Sequence, residues 1–248
     1  HKMETGQGYE KAAHLYDLFD DKDNIDFFYQ YAKEVDVILD IGAGTGRIAI
    51  PIAERGISVV CIEPSPAMRN EFRKKIKNQA ILSDKISLIT ADAQSFKLND
   101  VYPAAILSGS FDHFLDDFER VSSLWNINHH LKIGGKLIFD VWIGLMKDSP
   151  LHPAGIIRKG NYEYHRFIES KILPNNKIEV LLVFRTYKEG KLIEKIEQKS
   201  FVGIISRERV HQLLEETEFR IVKEYGNYNF SPYMEGDPLL IIEAVKKE

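Results

Sequence analysis

The chain has 248 residues, of which 44% are hydrophobic and 28% are charged, a composition typical of a globular protein with a substantial core. Its net charge of −4 at pH 7 provides no basic excess that would favour nucleic acid or anionic lipid as a partner. The single cysteine, Cys61, excludes an internal disulfide, and no apolar run reaches the roughly 20 residues that a membrane span needs. We therefore expect a cytoplasmic protein that consists of one domain with an insert, or of a domain with a small cap.

The first two thirds of the core alternate between strand and helix patterns. Two short amphipathic stretches predict a helical N-terminal cap over residues 3–34. After it, β-branched apolar runs predict strands at 35–41, 57–62, 86–91, 101–107 and 136–141. Segments with helical periodicity predict helices at about 44–55, 66–78 and 117–131, with Ser65 and Pro66 starting the second and Gly134–Gly135 stopping the third. Repeated strand–helix units imply a parallel, doubly wound sheet.

The periodicity changes to two after residue 160. Three alternating segments, 162–173, 177–187 and 191–202, are separated by turn residues and predict a three-stranded antiparallel meander. A helix at about 206–217, capped by Ser206, and strands near 219–225 and 239–245 then resume the α/β pattern. We predict a Rossmann-like sheet of seven strands, the last antiparallel, in which 1–142 and 204–248 form the core and 143–203 form the insert.

The stretch from Val35 to Arg47 carries the strongest functional signal. An apolar strand ends near Asp40, three glycines follow at alternate positions, and a helical segment begins after them. This order is typical of units that hold a nucleotide-like ligand against bare backbone. The spacing is G-x-G-x-G, formed by Gly42, Gly44 and Gly46, whereas dinucleotide-binding folds use G-x-G-x-x-G. An NAD(P)-dependent enzyme is therefore the weaker hypothesis.

At these residues the chain resembles the class I S-adenosylmethionine (SAM)-dependent methyltransferases, whose first motif usually reads D/E-x-G-x-G-x-G. The resemblance continues in order through 63–64, 92–93 and 133–136, and it extends over 12–142 and more loosely over 206–245. It implies SAM as the cofactor and S-adenosylhomocysteine as its product. The insert resembles, by position and shape, the auxiliary sheet of aminosugar and glycine N-methyltransferases, which roofs the substrate pocket or forms a subunit contact. A homodimer through the insert is one implied option.

Glu63 ends the second strand, 21 positions after Gly42. A carboxylate about 20 residues beyond the first glycine of such a loop can accept hydrogen bonds from both hydroxyls of a ribose. Because SAM and NAD share an adenosine ribose, Glu63 does not choose between them. The alternative is a solvated loop glutamate.

The resemblance implies further cofactor contacts, each with a plainer alternative. Asp92 and Ala93 would bind the adenine edge, although an isolated aspartate at a strand end is often a turn or N-cap residue. Asp40 would approach the methionine amine. Arg47 would reach the methionine carboxylate or point to solvent. The full implied set is Tyr16, Asp40, Gly42, Ala43, Gly44, Gly46, Arg47, Glu63, Pro64, Met68, Asp92, Ala93, Ser108, Gly109, Ser110 and His113.

Two members of this set have a helix-packing alternative. Tyr16 belongs to a Tyr-Asp pair ahead of the first motif, and in small-molecule members of the family this tyrosine closes over the methionine end of SAM. It fits equally well as an aromatic core residue. Met68 is expected to pack on the adenine face or to be an ordinary core residue.

The segment Ser108–His113 follows the fourth strand, where ligands gather at the carboxyl ends of parallel strands. The Asn/Asp-Pro-Pro-Tyr/Phe motif of nucleic-acid and protein-amide methyltransferases is absent from it. His113, with an ordinary pKa near 6.5, is a candidate general base or a hydrogen-bond partner of the cofactor. The candidate substrate contacts are Phe111, Trp142, Tyr164, Arg166 and Tyr233.

The implied reaction is in-line methyl transfer to a small molecule, with no nucleic acid or membrane as partner. Since the sequence has no unambiguous base and no metal cluster, we favour an amine nitrogen as the acceptor, because a neutral amine needs no base during attack. The alternatives are transfer to oxygen or carbon of a small metabolite, and a SAM-binding sensor without turnover.

Overall fold

A computed structural model describes residues 11–19 and 23–248. The helices of this part are α1 (Ala13–Tyr16), α2 (Asp23–Ala32), α3 (Ala49–Glu54), α4 (Pro66–Ile76), α5 (Ala80–Lys85), α6 (Asp117–His129), α7 (Arg207–Glu216) and a 3₁₀ helix at Phe111–His113. Its strands are β1 (Val37–Ile41), β2 (Ser58–Ile62), β3 (Ile86–Ile89), β4 (Tyr102–Leu107), β5 (Leu131–Trp142), β6 (Ser149–Lys159), β7 (Tyr162–Leu173), β8 (Lys177–Lys188), β9 (Lys191–Gly203), β10 (Phe219–Tyr225) and β11 (Leu239–Lys246). No helix in the described ranges is long and apolar enough to cross a bilayer.

Seven of these strands form one mixed sheet in the order β3-β2-β1-β4-β5-β11-β10. The pairs among β1 to β5 are parallel, and β11 lies antiparallel to both of its neighbours. The predicted seven-stranded sheet with an antiparallel last strand is therefore confirmed. Chain order reverses between β1 and β4, which leaves a crevice at the carboxyl ends of these strands.

Both faces of this sheet are apolar, and helices cover each of them. Leu39 of β1 belongs to a core that α6 and α7 cover, whereas Ile38 belongs to a second core that α2, α3 and α4 cover. Adjacent residues of one strand thus enter opposite layers, as a strand buried on both faces requires.

Two predicted helix starts are confirmed by their capping hydrogen bonds. The Ser65 hydroxyl accepts a hydrogen bond from Met68 N, and Pro66 occupies the first turn of α4. The Ser206 hydroxyl accepts one from Arg209 N at the start of α7. These side chains satisfy backbone N–H groups that have no partner within the helix.

Several predicted boundaries were wrong. α3 begins at Ala49 rather than near 44, because the glycine loop occupies the intervening residues. The chain forms α5, which was not predicted, after α4 ends at Ile76. Gly134 and Gly135 do not stop α6, which ends at His129; they lie in a bulge of β5, where the register with β4 shifts.

The insert has four strands rather than the predicted three, in the order β6-β7-β8-β9. β6 was missed because Pro150, Pro153 and Gly155 interrupt its alternation. Proline lacks the N–H that a ladder needs, and it is tolerated here since β6 is an edge strand with register shifts. One face of this sheet packs against α1, where Leu15 and Phe184 are both buried.

Candidate functional site

The glycine loop lies directly beyond β1 and is held by the end of β2. The amides of Gly42 and Ala43 both donate to the carbonyl of Ile62, at 2.8 and 3.0 Å. Gly42 has a φ of +76°, and a Cβ there would collide with the Ser110 side chain. Gly44 has a φ of +61°, and the nearest atom to a Cβ there is Met68 Cε at 3.7 Å. The loop is thus tightly packed at Gly42, whereas at Gly44 no neighbouring atom crowds the backbone.

Glu63 lies under this loop and is 5% exposed. Its Oε1 accepts a hydrogen bond from Gly44 N at 2.8 Å, and its Oε2 accepts one from Ser65 N at 2.7 Å. Arg69 donates to the carbonyls of Glu63 and Pro64 at 2.8 and 2.7 Å. This environment is incompatible with a solvated loop glutamate. It places the carboxylate at the glycine loop, where a ribose would be expected.

Asp40 is 2% exposed at the end of β1, and within the described part of the chain its Oδ2 has no hydrogen-bond partner. Burial raises the pKa of Asp40 from 3.8 to about 7; the charge of Glu63 acts in the same direction, and the charge of Arg47 opposes both. A buried acceptor without a partner is destabilising and therefore needs an explanation. A cationic or donor group of a ligand would satisfy it.

Arg47 is connected to the loop after β4 through Asn24. Its Nη1 donates to Asn24 Oδ1 at 2.5 Å, and Asn24 Nδ2 donates to Ser108 Oγ at 3.1 Å. Arg47 is partly buried rather than displayed on an open helix face. Sequence analysis gave Asn24 no role at this site, because its neighbours here are distant in the chain.

Asp17, which follows the last residue of α1, connects this helix to the glycine loop. Thr45 Oγ1 donates to Asp17 Oδ1 at 2.6 Å, and Lys75 forms an ion pair with Asp17 and donates to Thr45 Oγ1 at 3.0 Å. Tyr16 itself is partly buried. In the predicted Tyr16-Asp17 pair, the aspartate is therefore the residue with a described contact to the glycine loop.

Asp92 behaves as a turn residue in the structure. Its Oδ1 accepts hydrogen bonds from the amides of Gln94 and Ser95 and from the Ser95 hydroxyl. The Ala93 carbonyl accepts one from Asn126 at 3.0 Å. These bonds are those of the turn alternative, and contact with an adenine edge stays a prediction. Met68 is 2% exposed, so its core alternative also fits.

Asp140 of β5 was missed by sequence analysis, although it connects two loops of the site. Its Oδ1 accepts a hydrogen bond from Gly109 N at 2.6 Å, and its Oδ2 accepts one from the Tyr228 hydroxyl at 2.6 Å. It is 4% exposed, and burial raises its pKa. A single acidic residue within a strand carried no signal that distinguished it from others. Ser110 Oγ completes the packing by donating to the Ile41 carbonyl at 3.2 Å.

His113 lies beside the last strand of the insert. Its Nδ1 is 3.2 Å from the Phe201 carbonyl oxygen, which can only accept, so Nδ1 carries the proton and Nε2 bears the lone pair. Burial lowers the pKa of His113 below 6.5, against the effect of this hydrogen bond. The imidazole is consequently neutral at pH 7, with its acceptor nitrogen determined by a residue of the insert.

Asp112 precedes His113, and its Oδ1 accepts a hydrogen bond from Trp142 N at 3.0 Å. Burial raises its pKa from 3.8 to about 7, with a further increase from Asp140, while the Trp142 amide and Arg120 oppose the shift. Asp112 received no role in sequence analysis.

The candidate substrate contacts fall in separate places. Phe111 is 1% exposed and stacks on Phe139 at 4.9 Å, an environment that favours a core role. Trp142 is 40% exposed at the end of β5, next to Asp112.

The other three candidates contact different elements. Tyr164 packs in the cluster between the insert and α1. In the same region Arg166 covers the ring of Phe19 at 4.9 Å. Tyr233 packs under Arg207 of α7 at 4.7 Å. Phe111 and Trp142 thus both lie at the turn after β4, to which Trp142 is linked through Asp112.

Comparison with known proteins agrees with this architecture. Residues 38–135 match a family model described as a methyltransferase domain. An uncharacterized methyltransferase of Geobacillus sp. strain WCH70 is 32% identical over 108 residues, which cover 44% of this chain and 48% of that protein. The chain thus matches about half the length of this curated relative.

Two solved structures share the fold over nearly the whole chain. A SAM-bound amino pentose methyltransferase from Micromonospora echinaspora, involved in calicheamicin biosynthesis, aligns with a TM-score of 0.74 and 17% identity, covering 100% of both chains. A sugar N-methyltransferase from Streptoalloteichus sp. aligns with a TM-score of 0.74 and 18% identity, covering 94% of this chain and 93% of the other. Residues 38–135 are therefore similar to a methyltransferase domain, and the whole chain shares the fold of these two methyltransferase structures.

Proposed function

We propose that this protein transfers a methyl group from SAM to a nitrogen atom of a small-molecule amine. The observation that carries the cofactor assignment is the buried Oδ2 of Asp40, which has no partner in the described part of the chain, beside a glycine loop that Glu63 supports. An α-amino group would satisfy Asp40. The bare backbone at Gly44 leaves room for a ligand to approach.

The residues present fit SAM in chemical type. Asp40 would hold the methionine amine and Arg47 the methionine carboxylate. Glu63 would accept hydrogen bonds from the ribose hydroxyls, since a carboxylate oxygen can accept more than one hydrogen bond. Asp92 and Ala93 would lie at the adenine. When bound, SAM supplies an electrophilic methyl group on a sulfonium sulfur.

The rest of the chain's contribution is positioning. Holding two reactants at attack distance can supply roughly 7–11 kcal/mol of the barrier reduction. The β4 loop, anchored by Asp140, and α1, anchored by Asp17, would enclose the reacting groups between them. His113 offers a neutral Nε2 that can accept a proton from an acceptor or a hydrogen bond from the cofactor.

An amine acceptor is favoured by the charge of this end of the sheet. Asp140 lies close enough to Asp112 to raise the pKa of Asp112, and such a pair of carboxyl groups favours a cationic or donor-rich ligand over an anionic one. One structural neighbour is a sugar N-methyltransferase, which agrees with this choice. Transfer to oxygen would require His113 to act as a base during attack, whereas an amine would need it only to remove the proton of its ammonium form before attack.

We also propose that residues 143–203 act as a separate accessory unit on the core formed by 1–142 and 204–248. This insert would cover the acceptor or form a homodimer. Its strands carry exposed apolar residues such as Leu192 and Ile193, which agrees with either role. The buried free thiol of Cys61 agrees with a cytoplasmic location.

Two measurements test the function. Calorimetric titration with S-adenosylhomocysteine should give saturable binding, and NAD should give none. Release of S-adenosylhomocysteine from SAM should then be followed across small amines, aminosugars, phenols and carboxylates. Turnover with amines alone supports the proposal. Turnover with phenols or carboxylates overturns the nitrogen assignment, and tight binding without turnover across the panel would favour the sensor.

A further inference from the structure

Asp112 occupies a defined position between the ends of two strands. It belongs to the 3₁₀ helix that follows β4, and its Oδ1 is bound to the backbone of Trp142, the last residue of β5. The side chain therefore spans the carboxyl ends of β4 and β5. It lies on the same short turn as His113, whose ring is held by Phe201 of the insert.

The two aspartates at this edge differ in their remaining hydrogen-bond capacity. Asp140 uses one oxygen for Gly109 N and the other for the Tyr228 hydroxyl. Asp112 uses Oδ1 for Trp142 N, and in the described ranges its Oδ2 accepts no hydrogen bond. The described residues include four side-chain atoms that are fully buried and lack a hydrogen-bond partner, and Asp112 Oδ2 is not one of them. This oxygen therefore keeps some exposure to solvent. Of the pair, Asp112 is thus the one with an accessible carboxylate oxygen.

The nearby cations are engaged elsewhere. Arg120 is 6% exposed and forms an ion pair with Asp117 at 3.0 Å. Arg47 donates to Asn24 and influences Asp40 and Asp140. Neither provides a direct ion pair to Asp112 within the described structure. The site therefore contains a partly buried acidic group that no hydrogen-bonded cation neutralises in the described structure.

We propose that Asp112 is the carboxylate that binds the acceptor's amino group, with Trp142 N–H holding Oδ1 and the amino group donating to Oδ2. This inference rests on the proposed function and names a residue for its substrate class. The raised pKa of Asp112 agrees with this role, since a carboxylate with no cation beside it is stabilised in its charged form by a bound ammonium group. An acceptor with a hydroxyl in place of the amine lacks the positive charge and would bind less tightly.

Sinefungin provides a probe that does not require the acceptor to be known. It carries an amino group where SAM carries its transferable methyl group, and S-adenosylhomocysteine has neither. The ratio of the two dissociation constants therefore measures how strongly the site attracts an amine at the transfer position. We would measure both constants by calorimetry at pH 8 for the wild type and for Asp112→Asn and Asp84→Asn.

Asp112→Asn retains an oxygen that can accept from Trp142 N, so the loop should keep its position. Asp84 is an exposed aspartate on α5 and is the control for loss of one negative charge. We expect the wild type and Asp84→Asn to prefer sinefungin at least tenfold. In Asp112→Asn this preference, measured as the ratio of the two dissociation constants, should be at least tenfold smaller than in the wild type. Its affinity for S-adenosylhomocysteine should change less than twofold.

An unchanged preference in Asp112→Asn overturns the inference, as does an equal weakening of both ligands, which would indicate a structural or cofactor role. If neither ligand binds the wild type, the proposed function fails first and this inference fails with it. If thermal unfolding shows that Asp112→Asn does not fold, Asp112→Ala replaces it, with the same two outcomes.

Discussion

The carboxyl edge of the seven-stranded sheet and the inserted sheet contrast in where their polar groups lie. At the edge of the core, Asp40, Glu63 and Asp140 are 2%, 5% and 4% exposed. On the insert, charged groups form ion pairs at the surface, such as Lys199–Glu179 at 3.1 Å, and these contribute roughly 0–1 kcal/mol each. Buried charges strongly influence a bound ligand, whereas solvated ones are screened. The core thus supplies the electrostatics of the site.

The insert acts on the site through geometry. The Phe201 carbonyl determines which nitrogen of His113 is protonated. One face of the insert packs on α1, which Asp17 connects to Thr45 of the glycine loop. The contrast predicts large effects on cofactor affinity from changes at the core edge. Changes that act through the insert or α1 should have smaller or purely catalytic effects.

Gly42→Ala should have the largest effect, because it tests the tightest contact of the core edge. The new Cβ would collide with Ser110 and would require a residue with side chain at φ +76°. Together these cost about 2–4 kcal/mol. We expect affinity for S-adenosylhomocysteine to fall by about 100-fold or more in calorimetry. Gly56→Ala, also at positive φ but with no atom within 4 Å, is the control and should leave affinity unchanged.

Glu63→Gln tests the carboxylate under the loop. The amide retains one acceptor, but its NH₂ group would face the N–H of Gly44 or Ser65. The loss of a charged acceptor should weaken S-adenosylhomocysteine binding at least tenfold. Glu54→Gln, at an exposed position of α3, should bind normally. Unchanged affinity in a folded Glu63→Gln would eliminate the proposed ribose contact.

His113→Ala tests the residue that the insert positions. As a base, His113 should contribute to kcat and little to cofactor affinity, so kcat for the most active amine of the panel should fall at least tenfold. Its lowered pKa places the acid limb of the kcat profile below pH 6.5, since only the neutral imidazole accepts a proton. His129→Ala, exposed at the end of α6, is the control. A normal kcat would leave His113 no role as a base.

Asp40→Asn should increase the stability of the protein at high pH and decrease its affinity for S-adenosylhomocysteine. The pKa of Asp40 is about 7 in the folded state and 3.8 in the unfolded state, so between pH 4 and 7 the folded state binds a proton that the unfolded state has lost. The free energy of unfolding therefore falls as the pH rises from about 4 to 7. An asparagine does not ionise, so the variant should be more stable than the wild type by about 2–4 kcal/mol at pH 8, whereas the two should differ little at pH 4. Thermal unfolding at both pH values measures this. Its affinity for S-adenosylhomocysteine should nevertheless decrease, and a rise in affinity would contradict the proposed amine contact.

Thr45→Val should have the smallest effect, since it removes only the hydrogen bonds that Thr45 Oγ1 makes with Asp17 and Lys75. Asp17 keeps its ion pair with Lys75, so the loss should be about 1 kcal/mol or less. We expect a two- to fivefold decrease in S-adenosylhomocysteine affinity by calorimetry. A loss as large as that of Gly42→Ala would refute the division between the two regions.

Sequence patterns predicted the core well because its signals are local. The glycines, the strand-end acids and the capping residues Ser65 and Ser206 act on backbone within a few positions, so their residue types and spacing indicate their roles. The β6 strand escaped prediction for the same reason: its prolines and glycine disrupt the local alternation, and only pairing with β7 makes it a strand.

The composition, the alternation of strands and helices and the G-x-G-x-G loop determined the class of fold and the edge where a ligand would lie. Tertiary structure alone decided that Asp140 joins Gly109 to Tyr228, that Asn24 joins Arg47 to Ser108, and that Phe201 orients His113. These contacts join residues between 23 and 88 positions apart, and they depend on how layers pack rather than on any short pattern. The buried environment that raises the pKa of Asp40 and Asp112 likewise exists only once the sheet, the helices and the insert are assembled.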